Sequence, residues 1–310
     1  MTPLQNKGIS IFSSTRQILI LAGVLGIALV LTLLLIPNRS PEDVYRFKET
    51  YSRSATATNS TLIPSWPDLP IGCIIAKNTQ AGNYGVARTE RFWNFVSAEF
   101  SLVGNLTRVE DAEHCEPSTN FYFFFKSSID EGATIDDLNM IGAKFADEGV
   151  RDAINPLAYG FGYLDGQHPK AAIFINDLSS TARLTGVVER FINAAVIQET
   201  FQMLLLAQDK PIEGKPSSIL HEPVWRENPD WSKLTINDIA TFLDQTPEKL
   251  CGDDVFALAV FEKIVAAEAF FMDDVQKTIN SSLNSIRKKA TNLSNKPNWS
   301  DVVSEDCSLK

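Results

Sequence analysis

Three polar residues that could do chemistry stand together in one of the most apolar parts of the chain. Gln198, Glu199 and Gln202 lie within AVIQETFQMLLL, and between 191 and 207 the other polar residues are Asn193 and Thr200. A glutamate can act as a general base, and a buried glutamate must find partners or become neutral. On a helix, 198 and 202 face the same way and 199 lies beside 202. The stretch therefore predicts a small polar patch, either a relict active site or a hydrogen-bonded core network.

The elements that must position this patch can be read from hydrophobic periodicity. The patterns predict helices at Ala87–Leu102, Thr134–Gly149, Leu184–Gln208, Ile236–Leu243 and Asp253–Phe271, the last with a polar continuation to about Ala290. Strands are predicted at Asn120–Lys126, at YGFGYLDG and at KAAIFIND (170–177), and the last two form a candidate hairpin. This order is typical of an α+β domain with a helical C-terminal portion.

The order of elements and the Q-E-x-x-Q string resemble the zincin superfamily of zinc metallopeptidases, specifically its gluzincin branch. In that superfamily a helix carries H-E-x-x-H, where two histidines bind zinc and the glutamate acts on zinc-bound water. PSSIL followed by KLTINDIATFL is also similar to exported bacterial proteins with degenerate zincin-like cores. The resemblance covers about residues 92–258 and implies a small sheet, a long central helix and a helical C-terminal lobe.

The resemblance implies a role for specific positions of this chain. Gln198 and Gln202 stand where the histidine ligands would be, Glu199 stands at the general base, and Glu222, after His221, at the third ligand. Zincin substrates lie along an edge strand just before the helix, and KAAIFIND takes that place. The implied binding residues are Ala172, Ile173, Phe174 and Ile175.

The departure from the zincin pattern removes the expected chemistry. An amide oxygen is a poor zinc ligand beside imidazole, thiolate or carboxylate, so two glutamines with one distant glutamate should hold zinc weakly or not at all. The three histidines, at 114, 168 and 221, have no ligand spacing. Asp253 and Asp254 are interpreted as acids that favour a helix N-terminus. We therefore expect no metal and no cofactor.

Composition restricts the class of partner. The chain has 310 residues, of which 44% are hydrophobic, and this is enough for one good-sized core. Its formal net charge is −10 at pH 7. A surface that binds nucleic acid needs clustered lysine and arginine, so a nucleic-acid partner is not expected.

The N-terminal region predicts a membrane anchor. Residues 17–36 are uncharged and apolar over the roughly 20 residues that a helix needs to cross a bilayer. Residues 1–16 would form a short cytoplasmic tail, and the absence of a small-x-small cleavage site favours an uncleaved signal anchor. Residues 37–72 are interpreted as a juxtamembrane helix and a linker. Basic residues after the span favour the opposite orientation, but large folded domains translocate largely regardless of charge.

The cysteines favour an oxidising compartment for the main domain, which is predicted at 73–290 with a C-terminal tail at 291–310. All four follow the predicted span and none forms a C-x-x-C pair, which suits two disulfides in any of three pairings. Four free buried thiols are the alternative. We expect a single-pass protein of the inner membrane with a periplasmic main domain, or a lumenal one in a eukaryote. The disulfide candidates are Cys73, Cys115, Cys251 and Cys307.

The sequence leaves three functions open. The favoured one is a non-catalytic zincin-like domain that binds a protein or peptide along an edge strand above the polar patch. The second is a divergent peptidase that uses Glu199 as base, with Glu222 or Asp238 and a cation other than zinc. The third is a structural subunit of an envelope membrane complex in which the span itself makes contacts.

Overall fold

The structure is a computed structural model, and it describes residues 66, 68–127, 129, 131–142, 157–165, 168–178, 185–205, 207, 210–212, 218–223, 235–268 and 272–304. The predicted tail, membrane span, juxtamembrane helix and most of the linker lie outside the described residues. Within the described part, no helix is both long and apolar enough to cross a membrane.

A mixed sheet of five strands forms the centre of the domain. Its order is β2-β1-β3-β5-β4, and all neighbours are parallel except β4 and β5, which are antiparallel. β3 and β5 read as continuous apolar runs because both faces of the sheet are covered. The strands are β1 Gly72–Ala76, β2 Leu106–Val109, β3 Phe121–Lys126, β4 Ala158–Asp165 and β5 His168–Asn176.

Six helices surround the sheet in the described part, which confirms the α+β class. α1 begins after Thr79, whose side chain accepts a hydrogen bond from the Gly82 amide, and it ends at Ser101 in a left-handed conformation. The β4–β5 hairpin and the long helix after it are also as predicted. The helices are α1 Gln80–Phe100, α2 Glu131–Met140, α3 Gly186–Leu205, α4 Ile236–Leu243, α5 Gly252–Ala266 and α6 Met272–Ser294. A parallel pair of short strands, β6 Lys210–Ile212 and β7 His221–Pro223, lies apart from the main sheet.

The two faces of the sheet belong to two hydrophobic clusters. The larger contains α1, α3, α5 and α6 together with alternate residues of the strands, such as Ile74, Phe123 and Ile173. The smaller contains the opposite residues and α2. In it, Phe174 stacks on Phe124 and on Tyr159, with ring centroids 4.7 and 4.9 Å apart. The sheet therefore has a fixed arrangement of side chains on each face.

Disulfide bonds replace free thiols throughout the described part of the chain. Cys73 on the interior strand β1 is bonded to Cys115 in the loop after β2. Cys251 is also disulfide-bonded, and no described cysteine is free. The alternative of free buried thiols is therefore wrong for these three residues. Cys307 lies outside the described residues.

The C-terminal segment packs against α1 and is not a separate tail. Asp301 accepts hydrogen bonds from Arg88 and Arg91, and the guanidinium of Arg91 lies 4.2 Å from the centre of the Trp299 ring. The indole of Trp299 donates to Glu99 at 2.7 Å. The folded part thus extends to at least residue 304, beyond the predicted boundary at 290.

Asp254 joins the start of α5 to the segment before β7. Its carboxylate is fully buried and accepts hydrogen bonds from the Cys251 amide (2.8 Å), the Ile219 amide (2.8 Å) and the Ser218 hydroxyl (2.5 Å). Both Asp253 and Asp254 lie in the first turn of α5, as predicted. The sequence did not distinguish the buried one from its half-buried neighbour.

We expect Asp254→Asn to lower the free energy of unfolding by about 3 kcal/mol, because an amide nitrogen cannot accept from the buried donors that the carboxylate satisfies. Asp253→Asn is the matched control. It should lose about 0.3–1 kcal/mol, the value of an acid at a helix N-terminus. Urea denaturation of both variants measures the difference, and equal losses would show that the hydrogen bonds to Asp254 contribute little.

Asp301 should make the stability of the domain sensitive to acid. Burial disfavours its carboxylate, but hydrogen bonds from Arg91 and Arg88 outweigh this and hold the pKa of Asp301 below its ordinary value. The lowered pKa means that this stabilisation is complete above about pH 4, the unfolded value, and is lost as the pH falls through the folded pKa.

Asp301→Asn should therefore cost at most about 1 kcal/mol at pH 7, since its side chain is 40% exposed and screened by solvent. The difference from the unaltered protein should shrink as the pH falls below about 4. Asp244→Asn, which removes the more exposed partner of Arg190, serves as the control. A difference for Asp301→Asn that stays constant from pH 7 to pH 2 would contradict the account.

Candidate functional site

The polar patch lies on α3, the helix that follows the interior strand β5. Glu199 is only 8% exposed, whereas Gln198 and Gln202 are half-buried. Each of the three is engaged in an interaction with another group. The helix around them is almost completely buried, because α3 packs against the sheet, α1 and α4. The patch is thus a polar feature inside a packed helix and not part of an open helical surface.

The carboxylate of Glu199 lies against the backbone of β4. A Cβ atom built on Gly160 would come within 2.8 Å of the Glu199 Oε2 and 2.9 Å of the Met203 Cγ. Real Cβ atoms do not tolerate such distances, so a glycine is required at 160 for Glu199 to hold this position. A glycine inside a strand is a known sign of close approach, so YGFGYLDG could have indicated that another group approaches this strand, but not that the group is Glu199.

The edge strands of the main sheet are β2 and β4, and the prediction that placed an edge strand at 170–177 is wrong. β5 contains residues 170–176 and has β3 on one side and β4 on the other. Its backbone is therefore already paired in both directions and cannot accept a further strand. The four residues proposed to bind a partner are at most 1% exposed and instead belong to the core: Ala172, Ile173, Phe174 and Ile175.

The hydrogen-bond pattern shows which backbone groups of β4 face outwards. The Asn176 amide donates to the Leu157 carbonyl at 2.8 Å, and Ala158 is opposite Ile175 in the register. Hydrogen-bonded and non-hydrogen-bonded pairs alternate along an antiparallel ladder. Residues 159, 161 and 163 therefore bond to β5, while residues 158, 160, 162 and 164 direct their N–H and C=O groups away from it. The Glu199 carboxylate lies beside one of these outward residues, Gly160.

β4 has few of the features that normally protect an edge strand. Its sequence, AYGFGYLD, contains no lysine, arginine or proline, and its one charge is Asp165 at the end. Among the described residues, no strand pairs with its outer side. Long edges without such protection are templates for pairing with another strand. The side of β4 that faces away from β5 is therefore suited to strand addition.

The remaining predicted metal positions are not assembled into a site in the described structure. The backbone of Glu222 is in β7, opposite Pro211, and its side chain lies outside what is described. Asp238 caps α4 through hydrogen bonds with Thr235, which lower its pKa. Among the described residues, no three His, Cys, Asp or Glu side chains group so that they could hold a metal ion. Gln198 and Gln202, which precede and follow Glu199 on the helix, could offer a metal only amide oxygens, which are weak zinc ligands.

Comparison with known proteins gives no family for this chain. No protein-family model, no curated protein and no solved structure matches it. What the site can do must therefore be argued from its own geometry: an edge strand with outward backbone groups, a glycine in its middle, and a buried carboxylate behind that glycine.

Proposed function

We propose that this protein is a membrane-anchored extracytoplasmic protein whose zincin-like, non-catalytic domain binds an extended segment of a protein or peptide. The partner adds as a strand to the outer side of β4, beside Glu199 and the two glutamines of α3. The observation that carries the proposal is the contact between the Glu199 carboxylate and Gly160, because it brings the polar patch to the edge strand.

Three features support a zincin-like ancestry. The sheet is mixed, with a single antiparallel strand at its edge. The helix with the Q-E-x-x-Q string follows the hairpin that contains this edge strand, in the order that the resemblance implies. The helices α4, α5 and α6 supply a helical C-terminal lobe. With β4 as the edge, the substrate of a zincin would lie along the outer side of β4.

The absence of hydrolysis follows from the residue types. Zinc activates water for a peptidase, and the glutamate between its ligands removes the proton. Gln198 and Gln202 offer neutral amide oxygens in place of imidazoles. Glu199 can still accept hydrogen bonds from an extended chain that lies along β4. The edge strand then keeps its capacity to bind a peptide, while the site beside it lacks the metal.

Strand addition would give a partner affinity for β4 without a deep pocket, because the backbone supplies the contacts. Residues 158, 160, 162 and 164 offer a row of donors and acceptors, and each hydrogen bond to a partner contributes about 0.5–1.5 kcal/mol net. Side chains of the added strand alternate between the α3 face and the α2 face. The partner is therefore selected on two faces, the first polar at Glu199 and the second aromatic at Phe161.

The location rests on the predicted span and on the disulfides. Residues 17–36 anchor the chain in the membrane, and the disulfide between Cys73 and Cys115 suits the periplasm or a lumen. The partner would then be a protein or peptide of the same compartment.

Proline at an outward position tests the proposal. Gly162→Pro removes an outward N–H but spares the ladder to β5, since residue 162 does not bond to β5. Gly186→Pro is the matched control, because residue 186 is the first of α3, where proline is tolerated. Random heptapeptides are selected on the purified full chain. We expect the selected peptides to lose at least about tenfold in affinity for Gly162→Pro, equivalent to one or two hydrogen bonds, and to bind Gly186→Pro normally.

Two results would overturn this function. Peptides that bind both proline variants equally would show that β4 is not the binding edge. Stoichiometric zinc in the purified protein, together with peptide hydrolysis that is lost in Glu199→Gln, would show that the domain is a divergent peptidase.

A further inference from the structure

The middle of β4 has a mirror-symmetric sequence. Residues 159–163 read Tyr-Gly-Phe-Gly-Tyr, so the order is the same from either end, with Phe161 at the centre. The two glycines at 160 and 162 are both outward residues. Phe161 is only partly buried and packs against the hydrophobic cluster on the α2 face of the sheet, to which Tyr159 also belongs. If a two-fold axis at residue 161 relates two copies of this strand, each residue from 159 to 163 lies opposite a residue of the same type.

Two identical strands that pair antiparallel across a two-fold axis place equivalent residues at equal distances from the axis. Outward residues must lie opposite outward residues, because these make the new hydrogen bonds. A two-fold axis at Phe161 satisfies both conditions. It places Gly160 opposite Gly162 of the second copy, and Phe161 opposite its own equivalent.

We propose that the strand that β4 accepts is β4 of a second copy of this chain, so that the two sheets become one continuous sheet across a two-fold axis at Phe161. This inference rests on the proposed strand addition and names its partner. The interface is isologous, and the same residues contribute from both sides.

The register centred on Phe161 is favourable for three reasons. Two aromatic rings meet on the α2 face, and cross-strand aromatic pairs stabilise sheets. Glycine opposite glycine leaves the α3 face without side chains at the centre, where Glu199 approaches the strand of each copy. The charge of the strand, Asp165, falls opposite the backbone position of Leu157 and so does not face its own equivalent.

Cysteine cross-linking of the full chain, purified in mild detergent, tests both the partner and the register. With the axis at 161, the two residues 161 form a non-hydrogen-bonded pair with Cα atoms about 4.5 Å apart, which a disulfide can bridge. Mild oxidation of Phe161→Cys should therefore convert most of the monomer band on a non-reducing gel to a dimer band. The described cysteines are already bonded, so native thiols contribute little background.

Two further cysteine variants serve as controls. In Gly162→Cys the new thiol faces residue 160 of the second copy and should not cross-link. In Met140→Cys the thiol lies on α2 at a residue that is half exposed, and it reports random collision. Dimers from all three variants, or from none, would overturn the proposal, and dimers from Gly162→Cys alone would overturn the register.

Sedimentation of the chain without a new cysteine keeps the proposal testable if Phe161→Cys does not fold. The unaltered chain should have the mass of two copies. Gly162→Pro should have the mass of one copy, and Gly186→Pro should again have the mass of two. A protein that is monomeric throughout, yet binds peptides that Gly162→Pro rejects, would exclude the second copy as partner and leave strand addition intact. Peptides that bind Gly162→Pro as tightly as Gly186→Pro would instead remove the proposed function itself.

Discussion

The main constraint on this structure is the hydrogen bonding of the backbone of its edge strand β4. Every N–H and C=O group of a strand needs a partner, and β4 bonds to β5 through only alternate residues. The N–H and C=O groups of the other residues face outwards, and the eight residues of β4 carry a single charge. In most proteins such an edge is blocked by a lysine, a proline or a bulge. Here two of the outward residues, 160 and 162, are instead glycines, which have no side chain to block an added strand.

The rest of the fold holds this edge in place. β5 pairs with β4, and the next described helix, α3, packs against both strands, so the helix that carries Glu199 lies behind the edge strand. The disulfide at Cys73 fixes the interior strand β1, and the hydrogen bonds from Arg88 and Arg91 to Asp301 fasten the C-terminal segment to α1. The polar patch lies on a helix that is mostly buried in the core, which favours binding with little rearrangement.

Hydrophobic periodicity predicted most of the helices and strands, but it could not predict which strands lie next to each other in the sheet. α4 is found at the predicted residues because Thr235 and Asp238 form a capping box that marks its start. β3 and the hairpin were recognised from their aromatic and alternating residues. Short strands such as β1 and β2 were missed, since four or five residues give little pattern. The edge strand was misplaced because strand order depends on pairing between distant segments, and the contact between Glu199 and Gly160 arises only from that pairing.

Amide hydrogen exchange at β4 tests the central claim most directly. The amide of Phe161 bonds to β5 and should exchange slowly under all conditions, whereas the amides of Gly160 and Gly162 should exchange rapidly in the dilute protein alone. Both glycine amides should become protected when a partner strand binds, either a selected peptide or a second copy at high concentration. Glycine amides that are as protected as Phe161 at the lowest concentration, or that stay unprotected in the complex, would show that the outer side of β4 is not where partners bind.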